Sequence, residues 1–146
     1  MSEFRELSPV MLASPQIRLA DIAEAKSAGV TLIINNRPDG EDPAAPQGGE
    51  IEDAASSAGL DYIAIPVGHS GFSEPQIAQM LDAIENADGK VLAYCRSGTR
   101  STFLWSLAQA KKGMNPESIV TAAENAGYNV TQLRPMLDML SGQAKG

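Results

Sequence analysis

Cys95 is the only cysteine in this 146-residue chain, and Arg96-Ser97-Gly98-Thr99-Arg100-Ser101 follow it directly. These residue types at this spacing suit nucleophilic attack on an anion. The thiolate is the reactive form of cysteine, and a helix N-terminus or a nearby arginine favours it. A polar turn with one glycine can direct the backbone N–H groups of residues 96–101 inward as a nest for an anion, and the dipole of a following helix adds positive potential there. Arg100 can grip two oxygens of that anion with its planar fork. The reading is therefore Cys95 as nucleophile, Arg100 as clamp, and Arg96, Ser97, Gly98 and Thr99 as the anion-binding loop. Set against it is the ordinary fate of a lone cysteine, an inert core thiol. The glycine turn, two arginines and a helix start weigh against that fate. Arg96 can equally be a solvated charge turned away from the cradle, and Ser97 and Thr99 plain turn residues.

Such a cradle needs a strand to end at it and a helix to begin from it. Val91 to Tyr94 reads as the feeding strand and Ser101 to Lys112 as the helix, with Phe103, Leu104, Leu107 and Ala108 as its apolar stripe. Trp105 lies off that stripe and is expected to pack against another helix. Upstream, Leu7 to Leu12 alternates as one short strand, residues 18–28 form a helix closed by Gly29, and Val30 to Asn35 is a buried strand. Glu50 to Ala58 reads as a second helix and Asp61 to Val67 as a strand. Ser73 and Gln76 form a capping box for a helix running to about Ala87. Asn115-Pro116 opens a further helix that Gly127 stops. Thr131 to Leu140 is a last short helix, and 141–146 a frayed tail.

Strands alternate with helices, which calls for an α/β fold: one domain over 1–146, a central mostly parallel sheet and helices on both faces. Ligands of such sheets bind outside the carboxyl ends of the strands. The loops 36–43, 68–72 and 95–100 each follow a strand and should meet at one rim.

Composition narrows the function. A net charge of −7 and a sequence pI near 4.6 argue against broad binding to nucleic acid or acidic membranes. A single cysteine forms no internal disulfide, which suits a reducing compartment. Residues 1–6 lack the basic region and apolar run of a signal peptide, and no apolar stretch reaches membrane-spanning length. The expectation is a soluble, cytoplasmic protein with no metal, no cofactor, no nucleic-acid partner and no membrane partner. Oligomeric state is not readable.

Locally, Tyr94 to Ser101 resembles the active loop of rhodanese-type sulfurtransferases. The wider chain resembles something else. Gln16-Ile17, Ile33-Ile34-Asn35-Asn36-Arg37-Pro38-Asp39-Gly40-Glu41, Ile65-Pro66-Val67, the active loop and Ala126-Gly127-Tyr128 occur in that order. Together they resemble the phosphatase-like domain of bacterial β-lactamase-hydrolase-like proteins, over roughly residues 5–140. The resemblance implies a fold similar to dual-specificity protein tyrosine phosphatases, and members carry both phosphatase-like and sulfurtransferase labels.

Loop length divides those chemistries. Tyrosine phosphatases usually place five residues between cysteine and arginine; here four lie between Cys95 and Arg100, as in rhodaneses. A phosphatase also uses a general acid. The loop matching the phosphatases' aspartate holds His69, the only histidine, which makes it the candidate acid; a solvent-exposed or backbone-paired loop histidine is the alternative. Asp39, Glu41 and Asp42 are rival acids that read more simply as a solvated turn. Arg37 reads as a structural tie to that turn. Ser101 can hydrogen-bond the departing thiolate or satisfy a free helical N–H. The leading expectation is a phosphatase-like, cysteine-dependent hydrolase of a small anionic substrate, a phosphate ester, through a covalent cysteinyl intermediate. A sulfurtransferase working on a sulfane-sulfur donor through a Cys95 persulfide stands close behind. A noncatalytic phospho-ligand binding module is the third reading.

Overall fold

Apolar residues cluster on both sides of every central strand, so the sheet must be covered twice. A computed structural model describes residues 3–68 and 71–145. Its five strands are β1 (Arg5–Ser8), β2 (Met11–Ser14), β3 (Val30–Asn35), β4 (Asp61–Ala64) and β5 (Lys90–Tyr94), arranged β1-β2-β5-β3-β4. β1 is antiparallel to β2, and β2, β5, β3 and β4 run parallel. Among the described residues six helices surround them: α1 (Asp21–Ser27), α2 (Gly48–Ser57), α3 (Glu74–Asn86), α4 (Thr99–Lys112), α5 (Pro116–Asn125) and α6 (Arg134–Lys145), the last entered through a 3-10 turn at Thr131–Leu133.

Alternation along β5 splits the core in two. Val91 and Ala93 pack with Ile77, Met80, Leu104, Ile119 and Leu137, from α3, α4, α5 and α6. Leu92 and Tyr94 pack with Ile22, Ala25, Ile51 and Ala55, from α1 and α2. The protein is thus an α/β domain with a mostly parallel sheet and helices on both faces. α4 lies inside the larger core with Leu104, Trp105, Leu107 and Ala108 all buried. Its buried surface is wider than the expected stripe because α3, α5 and α6 all touch it. Phe103 sits at the edge of that surface, its ring 6.0 Å from that of Phe72.

Helix starts shift by two or three residues from the sequence reading, to Asp21, Gly48 and Thr99, and three further differences have a plain physical reason. The expected strand over Leu7 to Leu12 is two strands, separated by a turn at Pro9 and Val10; Pro9 has no N–H to give to a ladder. β4 stops at Ala64, two residues before Pro66, although Ile65 and Val67 still donate backbone N–H groups to Asn35 and Asn36 at 2.9 and 3.0 Å. The tail does not fray at residue 141. α6 continues to Lys145 because Ser141, 3% exposed, packs inward beside Leu140 and Leu137.

Candidate active site

The loop after β5 is shaped by its backbone. Cys95 N–H donates to Ser14 carbonyl at 3.3 Å, Gln16 N–H to Arg96 carbonyl at 3.2 Å, and the Tyr128 hydroxyl to Ser97 carbonyl at 3.1 Å. Gly98 is the N-cap of α4, with φ +92°, a left-handed conformation that side chains disfavour. A Cβ there would fall on the Tyr128 hydroxyl and 3.2 Å from the Ser14 carbonyl carbon. Thr102 anchors the first turn, its N–H and hydroxyl donating to Gly98 carbonyl at 3.0 and 2.8 Å. This bend brings Gly98 N–H to 3.1 Å from Cys95 Sγ, where it can stabilise negative charge on sulfur.

Cys95 is free and fully buried beneath the loop, and Gly98 is buried with it. Above lies a cleft of about 560 Å³ lined by Arg37, Glu41, Asp42, Gly68, Arg96, Ser97 and Arg100. The three loops therefore meet at the carboxyl ends of β3, β4 and β5. Arg96 and Ser97 are exposed at this rim. Thr99 turns its hydroxyl to that of Ser97, 2.9 Å away.

Arg100 is engaged by the other two loops. Its Nη1 donates to Glu41 Oε2 at 2.8 Å and to Val67 carbonyl at 2.7 Å, and its Nη2 donates to Glu41 Oε1 at 2.8 Å. Arg37 braces the same carboxylate, with Nε donating to Oε1 at 2.9 Å, while its Nη1 donates to Gln16 Oε1 at 2.9 Å. These bonds, foremost those from Arg100, hold the Glu41 carboxyl down to about 2. Glu41 is accordingly an ionised ligand of the arginines at neutral pH and no proton donor. Its carboxylate in turn raises the Arg100 guanidinium, with a smaller contribution from Cys95 close by.

The remaining acidic residues of the turn have backbone tasks. Asp39 accepts from Gly48 N–H at 2.8 Å at the start of α2, and Asp42 from Ala44 N–H at 3.0 Å. Ser101 is fully buried and donates its hydroxyl hydrogen to Asn36 Oδ1 at 2.8 Å, so that hydrogen is not directed at the Cys95 sulfur in this structure. Asn36 passes the tie on, its amide donating to Ile65 carbonyl at 2.9 Å. His69 lies outside the described residues. Among those described, no group of three or more His, Cys, Asp or Glu side chains is placed to hold a metal ion, and no helix is long and apolar enough to cross a membrane.

Sequence reasoning missed the bond from Glu41 to Arg100, which spans 59 residues, and the bracing by Asn36. A signal was available: Gln16, Asn36, Arg37, Glu41 and Tyr128 all fall in the motifs that carried the resemblance, and each grips the loop directly or through one neighbour.

Residues 3–112, from before β1 to the end of α4, match the family described as beta-lactamase hydrolase-like protein, phosphatase-like domain. The chain belongs to this family. A beta-lactamase hydrolase-like protein of Agrobacterium fabrum is 38% identical over 98 residues, covering 67% of this chain but 23% of that protein's length. The domain thus spans less than a quarter of the curated relatives it matches. A crystal structure of a candidate phosphatase from Neisseria meningitidis superposes with a TM-score of 0.83 at 31% identity, covering 96% of this chain and 99% of the other. Tk-PTP in its active form shares the fold, with a TM-score of 0.75 at 17% identity over 97% of each chain. The phosphatase-like domain therefore has a protein-tyrosine-phosphatase-like architecture.

Proposed function

We propose that this phosphatase-like domain is a cysteine-dependent hydrolase of small phosphate esters. The observation that carries the reading is the bent loop that brings Gly98 N–H to 3.1 Å from Cys95 Sγ at the start of a 14-residue helix. In the proposed reaction the ester's phosphoryl oxygens take up N–H groups of the 96–101 loop other than that of Gly98, together with the Arg100 guanidinium. The Cys95 thiolate attacks phosphorus, and the bond from phosphorus to the ester oxygen breaks. That oxygen leaves with the bonding pair and takes a proton, for which His69 is the proposed donor. Water then attacks the phosphocysteine, releasing inorganic phosphate and restoring the thiolate. Arg96 contributes positive charge at the mouth, and Ser97 and Thr99 hold the turn. Ser101 acts through Asn36 as a positioning residue.

One observation favours a second reading. The four-residue gap between Cys95 and Arg100 gives a tighter ring than phosphatases usually have, and a small ring suits a single persulfide sulfur. In that case Cys95 takes the outer sulfur of thiosulfate with release of sulfite, and hands it to a thiol or cyanide acceptor.

One assay separates the two. Purified protein and Cys95→Ser are compared side by side on an aryl phosphate and on thiosulfate plus cyanide. The leading proposal expects turnover of the aryl phosphate that Cys95→Ser abolishes. Turnover of thiosulfate alone moves the assignment to sulfur transfer. Turnover of neither, with phosphate still bound, leaves a ligand-binding module.

A further inference from the structure

One peptide bond in the cradle is held at both ends. The Ser97 carbonyl and the Gly98 N–H belong to the same peptide unit, and in a planar trans peptide they point opposite ways. On one side the Gly98 N–H lies 3.1 Å from Cys95 Sγ, and on the other the Tyr128 hydroxyl donates to the Ser97 carbonyl at 3.1 Å. The plane cannot turn without losing both bonds. Hydrogen bonds in a chain also strengthen one another, because a donor at the carbonyl draws electron density along the amide and leaves its N–H more positive. The phenol thus acts at the sulfur without touching it.

Tyr128 is itself fixed. It lies between α5 and the 3-10 turn, beyond the segment 3–112 that the family description matches. Its backbone N–H donates to Ala123 carbonyl at 2.9 Å, and its ring belongs to the larger core. Arg5 of β1 stands over that ring, 5.4 Å from its centre, and donates from Nη1 to Ala126 carbonyl at 3.1 Å. Burial raises the Tyr128 phenol above its ordinary range, so the hydroxyl keeps its proton and stays a donor. Packing asks only for the ring. The hydroxyl adds a polar contact at the one bend where a Cβ on Gly98 would collide with it. The charged groups that bear on this unit are Arg100, beside the sulfur, and Arg5, over the ring.

We infer that Tyr128 is a positioning residue of the nucleophile: through the Ser97–Gly98 peptide, its hydroxyl orients and polarises the N–H that stabilises the Cys95 thiolate. Tyr128 touches neither sulfur nor substrate, and Arg5 is its brace. The inference rests on Cys95 being the thiolate nucleophile proposed above, and does not require that the site turn over.

Thiolate formation, followed by ultraviolet absorbance across pH, tests this. Each protein is read against its own Cys95→Ser counterpart, so that tyrosine signals cancel, and is checked for folding by its thermal transition. Tyr128→Phe keeps the ring, its place in the core and its contact with Arg5, and removes only the donor. Its thiolate curve should lie about half a pH unit above that of wild type, and the Gly98 amide proton should move upfield in the NMR spectrum. Coincident curves would overturn the inference, since the hydroxyl would then be a strut of the fold alone. A curve displaced to lower pH would overturn it too. A ring-fluorinated tyrosine at position 128 is a stronger donor of nearly the same size and should move the curve the opposite way, to lower pH; it carries the test should Tyr128→Phe not fold. If folded wild type forms no thiolate, the nucleophile reading fails, and this inference with it. If wild type forms one and the curves coincide, the inference fails alone.

Discussion

Two loops meet at the cleft and are built in opposite ways. The 95–101 loop is a backbone structure: its bend is set by Gly98, by the Cys95 N–H bond to Ser14 carbonyl and by bonds from Gln16 N–H and the Tyr128 hydroxyl to its own carbonyls, and its centre is buried. The 36–42 loop is a side-chain structure, in which Arg37 and Glu41 pair with each other, Glu41 pairs with Arg100, and Asp39 holds the Gly48 N–H. The first supplies a shape that few substitutions can preserve. The second supplies aligned charge that can be weakened in steps. A site with both can hold its anion geometry rigidly and still be tuned at its rim.

The sharpest way to break the contrast is Gly98→Ala. The new methyl meets the Tyr128 hydroxyl and the Ser14 backbone at a left-handed φ, so strain and overpacking add. We expect a loss of about 2–4 kcal/mol in stability, read by urea unfolding, together with loss of activity in any folded fraction. Full stability would mean that the loop is less rigid than its bonds imply.

Arg100→Lys should come next. Lysine keeps the charge but cannot engage Glu41 and an anion with two separate edges. A fall in kcat/KM on an aryl phosphate on the order of tenfold or more is expected, with the fold intact. Near-normal turnover would remove Arg100 from the clamp.

The smallest effect belongs to Glu41 and appears in acid. Its carboxyl is held near 2 in the folded protein against an ordinary 4.5. A lowered value means that the pair's contribution is complete above the unfolded value and is lost as pH falls from about 4.5 toward about 2. Partial exposure of Glu41 tempers the size. Unfolding midpoints near neutrality and at about pH 3 should therefore differ less in Glu41→Gln than in wild type. Equal differences would show that the side-chain loop adds nothing to stability.

The same contrast explains what the sequence could tell. The backbone-built loop was legible, because a strand, a glycine and a helix start are local patterns: the strand ends at Tyr94 and the helix at Lys112 as expected, although the strand starts one residue earlier and the helix two. The alternation of strands and helices also gave the sheet and its two covered faces. The side-chain loop was not legible. Nothing in Arg37 to Glu41 says that its carboxylate reaches Arg100, since that pairing depends on β3 and β5 lying side by side in the sheet. Ser101 shows the same limit: its partner Asn36 is 65 residues away, and a local reading offered only the thiolate or a helical N–H.

The central claim is covalent chemistry at Cys95, and peptide mass mapping after rapid acid quench tests it most directly. Protein turning over an aryl phosphate should carry one phosphoryl group on the peptide containing Cys95, and Cys95→Ser should show neither the adduct nor turnover. Turnover that survives in Cys95→Ser, or a phosphoryl group found on another residue, would contradict the account.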